Sequence, residues 1–139
     1  MKKIFFDTWG WLAIAHKEDD RHADVVSFYK DYLLKKRIPV TTDYVLSETV
    51  TLLRAKTHGV NVFIDAILSA AKEGKIIIER ISESRWGKAW ALSKKYDDKP
   101  DISFVDFTSF VVMKEAGISE ALTADKHYEE VGMGLKKLF

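Results

Sequence analysis

The sequence contains no cysteine, which excludes both a disulfide framework and a thiolate zinc site. Only two prolines are present, Pro39 and Pro100, and we interpret them as marking connections between elements. Neither a repeat nor a low-complexity linker divides the chain, so we expect one domain over residues 1–139. Apolar residues make up 47% and charged residues 31%, which is typical of a globular protein.

Long apolar runs are also absent. The apolar run that follows the basic start MKK meets Asp7 almost at once, which is too short for a signal peptide, and no stretch is long enough to span a bilayer. We therefore expect a cytoplasmic protein with no membrane partner. The formal net charge of +1 gives no attraction of the whole molecule to nucleic acid, so a polyanion-binding surface would have to be a local patch.

Several catalytic signatures are missing. The sequence has no H-E-x-x-H, G-x-S-x-G, G-x-x-x-x-G-K-[ST] or G-x-G-x-x-G, so metalloprotease, esterase, nucleotide-loop and dinucleotide functions have no support. The four histidines do not have the spacing of metal ligands, and we expect His127 at the surface.

Short apolar runs alternate with stretches of helical periodicity. Strands are predicted over residues 3–6, 38–41, 76–79, 121–124 and 135–138. Helices are predicted over residues 8–15, 22–34, 43–56, 61–72, 86–95 and 104–116, with Asp43 capping the third. This alternation predicts an α/β fold with a parallel sheet covered on both faces. Functional sites in such sheets form at the carboxyl ends of the strands.

Acidic residues follow two of these strands directly. Asp7 comes after the run IFF, and Asp125 comes after LTA. Both are expected at the carboxyl edge of the sheet, where their side chains would lie close together. Taken alone, either residue is more readily explained as the cap of the helix that follows it.

Two further acids lie on the apolar stripes of predicted helices. Glu48 is three residues beyond Val45, and Asp106, in the stretch ISFVDFTSFVV, is four residues before Phe110. An ionised carboxylate that faces a core is costly unless it is paired or binds a metal. Local alternatives exist: Ser103 and Asp106 have the form of a capping box, and Glu48 could pair with Arg54 or a lysine.

Four carboxylates at one sheet edge would repel one another, and a divalent cation would compensate for that repulsion. Oxygen ligands favour hard ions such as Mg²⁺ or Mn²⁺, which typically act on phosphate groups. The position of the four acids together therefore favours a metal site for phosphate chemistry over four independent structural roles.

The chain resembles the PIN-domain ribonucleases, especially the VapC-type toxins of toxin–antitoxin pairs. The matching segments are IFFDTWGWLAI, TTDYVLSETVTLL and KPDISFVDFTSFVVMKEAGISEALTADKHYEEVG, and their order runs through nearly the whole chain. DISFVDFTSFVVM followed by ALTADKHY is the more specific pair. Trp9 and Trp11 stand where the family often has smaller residues, and we expect one in the core and one at a partner interface.

The resemblance implies a three-layer α/β/α PIN-like domain with a five-stranded parallel sheet. It implies a cytoplasmic endoribonuclease that uses Mg²⁺ or Mn²⁺, one ion or two, to hydrolyse RNA. It also implies a cognate antitoxin and a homodimer. The family's acidic positions fall on Asp7, Glu48, Asp106 and Asp125, as catalytic and metal-binding residues. Residues expected to assist them are Asp101, Thr123, Ser103 and Thr8.

Surfaces for substrate and partners are less sharply indicated. Arg54, on the same predicted helix as Glu48, is the basic residue we expect to contact RNA, whereas most other basic residues suit a solvated helix face. Apolar residues in excess of one core face mark residues 9–36 and 60–71 as partner surfaces. Two alternatives remain, namely a PIN-like RNA-binding module with little catalysis and another Mg²⁺-dependent phosphoryl-transfer domain.

Overall fold

Strands and helices alternate along the chain as the sequence predicts. The computed structural model describes residues 2–35 and 37–139, without the side chains of residues 33 and 34, so the end of the predicted partner surface at residue 36 lies outside it. The strands are Lys3–Phe6 (β1), Ile38–Thr42 (β2), Ile77–Glu79 (β3), Glu120–Leu122 (β4) and Lys136–Lys137 (β5). The helices are Thr8–Ala15 (α1), His22–Leu34 (α2), Asp43–Lys56 (α3), Val60–Lys72 (α4), Glu83–Lys95 (α5), Phe104–Ala116 (α6) and His127–Glu130 (α7).

The strands form a five-stranded sheet in the order β3-β2-β1-β4-β5, and every pairing is parallel. The predicted α/β class with a five-stranded parallel sheet is therefore confirmed. Because crossovers between parallel strands are right-handed, the helices before β3 are expected on one face of the sheet and α5 and α6 on the other. Helices α5 and α6 pack against each other. The chain changes direction across the sheet between β1 and β4, and a ligand site is expected at that switch point.

The central strand β1 is buried on both sides. Ile4, Phe5 and Phe6 are all fully buried, which explains why this strand reads as a continuous apolar run without alternation. Burial of each such side chain contributes about 1.5–3 kcal/mol. This rigid centre holds the segment that follows β1 in a fixed position at the sheet edge.

Gly10 permits α1 to lie directly on β4. A Cβ atom at this position would stand 2.7 Å from the carbonyl oxygen of Leu122, closer than any real side chain. Next to it Trp11 is 2% exposed and donates from Nε1 to Thr41 Oγ1 at 3.1 Å. Trp11 is therefore the core tryptophan that the sequence predicts. Gly10 weakens the helix locally, but it is required for the packing of α1 against β4.

Several predicted boundaries are wrong in an instructive way. Thr42 caps α3, accepting from the N–H of Val45 at 3.0 Å, and the predicted cap Asp43 is the first helical residue. Asp43 accepts instead from the N–H of Ile81 at 3.0 Å, which links α3 to the segment after β3. Helix α5 starts three residues earlier than predicted, after the cap Ser82, and the short helix α7 is not predicted at all. Across the described parts of the chain, no helix combines the length and apolar character needed to cross a membrane.

Candidate active site

A cavity of about 520 Å³ opens at the carboxyl ends of β1 and β4, at the switch point of the sheet. All four acids singled out from the sequence line it: Asp7, Glu48, Asp106 and Asp125. The rest of the lining is mostly apolar and hydroxyl-bearing: Thr8, Trp9, Leu12, Val45, Leu52, Ser103, Val105, Ser109, Ala124 and Tyr128. The arrangement is a carboxylate cluster held in a largely apolar wall.

Asp7 is both a helix cap and a cavity residue. Its Oδ1 accepts from the N–H of Gly10 at 3.0 Å, and the side chain is almost wholly buried. Burial, together with the charges of Asp106 and Asp125, raises the pKa of Asp7 to about 7, although hydrogen bonds with Thr123 and Gly10 act in the opposite direction. The capping interpretation is thus correct, but it does not exhaust the role of this carboxyl group.

Asp106 likewise combines a local role with a place in the cavity. The predicted capping box is present: the N–H of Asp106 donates to Ser103 Oγ at 3.1 Å, and the N–H of Ser103 donates to Asp106 Oδ2 at 3.3 Å. Burial first, and then the charges of Asp125 and Glu48, raise the pKa of Asp106 to about 6. The box therefore fixes a carboxyl group that is poorly solvated and close to other acids.

Asp125 is held by the turn that follows β4. Its N–H donates to Thr123 Oγ1 at 3.0 Å, and its Oδ1 accepts from the N–H of His127 at 2.9 Å. Thr123 is fully buried and does not line the cavity, so it supports Asp7 and Asp125 from behind. One ligand atom each from Asp106, Asp125 and His127 lies within 4.8 Å of the others, a spacing that suits a shared metal ion.

Glu48 and Arg54 both lie on α3 but point to different parts of the surface. Glu48 is half-buried and lines the cavity beside Val45. Arg54 is exposed and lines a separate surface groove with Asn61 and Asp65. Six residues of α-helix turn a side chain by about 240°, so the predicted RNA contact at Arg54 points away from the acids. The alternative pairing of Arg54 with Glu48 is excluded by the same rotation.

His127 was expected at the surface, and that expectation is wrong. It is 9% exposed, and its Nε2 lies 2.8 Å from Oδ2 of Asp101. The cause is the turn after β4, which folds the residue two positions beyond Asp125 back against the loop that precedes α6. Asp101, predicted as an additional acid of the pocket, is exposed and contacts His127 without lining the cavity.

Charge explains the pKa shifts of His127 and Asp101. Burial acts to lower the pKa of His127, but the hydrogen bond with Asp101 and the nearby carboxylates outweigh it, so the pKa lies above its ordinary value. The hydrogen bond from His127 correspondingly lowers the pKa of Asp101. The sequence offers a signal for the contact of His127 with Asp125 in ADKH, where a histidine follows a strand-end acid at turn spacing.

Two hydroxyl groups of the cavity wall are buried without a hydrogen-bond partner among the described residues, Thr8 Oγ1 and Tyr128 Oη. Burial, followed by the charges of Asp7 and Asp106, raises the pKa of Tyr128 well above its ordinary value. Tyr128 was not singled out from the sequence, because α7 is not predicted and a lone aromatic residue most often belongs to the core. Unpartnered hydroxyls beside clustered carboxylates fit a site that receives a hydrated cation or a polar substrate.

Most basic residues near the sheet edge do not face the cavity. Arg85 pairs with Glu79 and Glu115, each at 2.8 Å, and Lys88 pairs with Glu115 at 2.6 Å. This network ties α5 to α6, so Arg85, expected on a solvated helix face, is largely covered and ion-paired instead. Trp9 lines the cavity, and the centroid of its ring is 5.7 Å from that of Phe139.

The similarity of this chain to known proteins extends over almost its whole length. No protein-family model matches the sequence. The curated relatives include the 23S rRNA-specific endonuclease VapC20 of Mycobacterium tuberculosis, in two strains, 31% identical over 130 residues that cover 93% of this chain and 94% of the relative. The crystal structure of Mycobacterium tuberculosis VapC20, described as a Sarcin-Ricin loop cleaving toxin, is similar with a TM-score of 0.75 and 30% identity over 93% of this chain and 95% of that one.

Proposed function

The chain belongs to the VapC family of PIN-type endoribonuclease toxins, and we propose that its acidic cavity binds Mg²⁺ or Mn²⁺ and hydrolyses RNA phosphodiester bonds there. The observation that carries this proposal is the meeting of Asp7, Glu48, Asp106 and Asp125 in one cavity at the switch point. Residues 1–139 would act as one catalytic domain. The reaction would take place in the cytoplasm, where RNA substrates are made.

The donor set fits a hard divalent cation. The pKa values of Asp7 and Asp106 are raised to about 7 and about 6, which means that their ionised forms lack a compensating charge. A cation would supply that charge, and carboxylate oxygens are the ligands that Mg²⁺ and Mn²⁺ prefer. Asp7, Asp106 and Asp125 would hold the ion, with Glu48 lining the same cavity.

An ion of this kind, when bound, stabilises charge on phosphate oxygens and lowers the pKa of a bound water. Glu48 would accept the proton of the attacking water, whose oxygen forms a bond to phosphorus as the bond to the 3′-oxygen breaks. The leaving oxygen takes a proton from solvent. The apolar wall, which includes Val45 and Leu52, would keep bulk water from the carboxylates and so strengthen their interactions.

The name of the relative VapC20 supports ribosomal RNA as the first substrate class to test. Apolar side chains left exposed support protein partners: Val62 is 75% and Leu68 41% exposed on α4, and Trp86 and Trp90 are 44% and 50% exposed on α5. We propose that α4 contributes to the antitoxin surface and that the stacked pair on α5, with ring centroids 6.1 Å apart, contributes to a homodimer. Sedimentation of the wild-type protein and of a Trp86→Ser/Trp90→Ser double variant tests the dimer.

The function is tested by incubating purified protein with ribosomal RNA and transfer RNA in Mg²⁺, Mn²⁺ or EDTA, and mapping new 5′ ends. We expect cleavage with either metal, none with EDTA, and a loss exceeding about 100-fold in an Asp106→Asn variant. Equal cleavage by the wild type and Asp106→Asn would contradict the site assignment. RNA binding without cleavage under any metal condition would favour the binding-module alternative.

A further inference from the structure

A chain of three side chains connects the cavity to the loop before α6. Asp101 Oδ2 lies 2.8 Å from His127 Nε2, and His127 Nδ1 lies 2.8 Å from Asp125 Oδ1. The same Oδ1 accepts from the backbone N–H of His127 at 2.9 Å. His127 therefore contacts Oδ1 of Asp125 with both its backbone nitrogen and Nδ1 of its ring. Asp101 contacts the other ring nitrogen of His127.

The His127 ring faces Asp125 with its Nδ1 nitrogen. His127 Nδ1 is buried and has no aligned hydrogen-bond partner among the described residues, although Asp125 Oδ1 is within reach. The short distance makes Asp125 the group on which the ring acts.

The support behind His127 is of a different kind. Asp101 keeps 66% of its side chain exposed, so it needs no partner for its own solvation. Asp101 accepts a hydrogen bond from His127 Nε2–H, since an ionised carboxylate can only accept. This bond fixes the rotation of the imidazole ring. With Nε2 directed to Asp101, the opposite ring nitrogen is directed to Asp125.

We propose that His127, oriented by Asp101, is a positioning residue that holds the Asp125 carboxylate in the orientation needed to bind the metal ion. This inference rests on the proposed function, in which Asp125 is a metal ligand. Partners of ligating carboxylates fix the orientation of those ligands, and their loss typically weakens metal binding without abolishing the site.

Two substitutions of His127 separate the roles of its two ring nitrogens. Asparagine places its amide nitrogen where Nδ1 lies, facing Asp125, whereas glutamine places its amide nitrogen where Nε2 lies, facing Asp101. A role limited to anchoring the loop before α6 would be preserved by glutamine, and a role at Asp125 would be preserved by asparagine. Asp101→Ala removes the support alone at an exposed position, and Asp98→Ala, also exposed in the same loop, is its charge-matched control.

The measurement is calorimetric titration of Mn²⁺ into each protein without RNA, together with the thermal midpoint of the metal-free form. We expect His127→Gln to weaken Mn²⁺ binding by about 10–100-fold and His127→Asn by less than about 10-fold. Asp101→Ala should weaken binding in the same direction, and Asp98→Ala should bind as the wild type does.

Unchanged Mn²⁺ affinity in both His127→Gln and Asp101→Ala would overturn the inference, as would a His127→Asn variant that binds more weakly than His127→Gln. An Asp106→Asn protein serves as the reference for the underlying site. If Asp106→Asn loses Mn²⁺ binding while His127→Gln and Asp101→Ala retain it, the positioning role fails and the proposed metal site stands. If Asp106→Asn binds Mn²⁺ as the wild type does, the proposed metal site itself fails.

Discussion

The backbone N–H of Gly10 donates a hydrogen bond to Oδ1 of Asp7 at 3.0 Å. The glycine whose missing side chain lets α1 lie against Leu122 is therefore also a donor that fixes a carboxylate of the cavity. Packing of α1 on the sheet and geometry of the site are coupled through these two residues. A change in how α1 lies on β4 should consequently alter both stability and activity.

Replacing Gly10 with alanine tests this coupling. Helix propensity alone would make Gly10→Ala stabilising by up to about 1 kcal/mol. The close approach to the Leu122 carbonyl should reverse the sign, and we expect a loss of about 1–3 kcal/mol in the free energy of unfolding. Gly87→Ala in α5, where an added Cβ meets nothing within 4 Å, is the control and should stabilise the protein. Urea unfolding of both variants gives the comparison, and a stabilised Gly10→Ala would disprove the close contact.

Ser103 caps α6 and holds Asp106, so its loss should affect two properties. Ser103→Ala should cost about 1 kcal/mol of stability and also reduce RNA cleavage, because Asp106 loses its partner in the capping box. Ser82 has the equivalent capping role on α5, where its Oγ accepts from the backbone N–H of Arg85 at 3.2 Å. Ser82 does not line the cavity.

Ser82→Ala should therefore cost a similar free energy of unfolding and leave the cleavage rate unchanged. Thermal unfolding and initial cleavage rates are measured side by side for the two alanine variants. Equal activity in both would mean that the capping box serves the helix alone.

The raised pKa values of Asp7 and Asp106 predict how the metal-free protein responds to pH. Both carboxyl groups hold their protons more tightly in the folded state than in the unfolded chain, with folded values of about 7 and about 6 against 3.8. The folded state thus binds more protons between about pH 4 and 7, and stability contributed by these groups falls as pH rises through that range, by at most about 1.4 kcal/mol per pH unit for each group.

Asp106→Asn should reduce this pH dependence, and saturating Mg²⁺ should oppose it because metal binding displaces the protons. Unfolding in EDTA at a series of pH values measures the effect for the wild type and the variant. A slope that is identical in the two proteins would argue against a raised pKa at Asp106.

The exposed apolar side chains of α4 predict a partner surface that is separate from catalysis. Val62→Asp should weaken binding of the antitoxin proposed above and leave cleavage of RNA unchanged, since Val62 is 75% exposed and does not line the cavity. Ser119→Asp introduces the same charge at an exposed position outside α4 and is the matched control. Surface plasmon resonance gives the affinities, and equal binding by Val62→Asp and the wild type would remove α4 from this interface.

The fold and the acids of the cavity were accessible from the sequence because both follow from periodicity and topology. Asp7 and Asp125 come directly after apolar strands, and the crossover rules of parallel sheets bring such positions to one edge. His127 and Arg54 were misplaced for physical reasons that a pattern does not contain. His127 is buried by a turn whose return path depends on the loop that carries Asp101, and Arg54 is turned away by the rotation of α3.

The most direct test of the central claim is anomalous diffraction from crystals of the wild-type protein soaked in Mn²⁺, paired with the RNA-cleavage assay on the same preparation. We expect an anomalous peak in the cavity in contact with the Asp106 and Asp125 carboxylates, and its absence in Asp106→Asn crystals. A preparation that cleaves RNA with Mn²⁺ while its crystals show no manganese between these carboxylates would contradict the account.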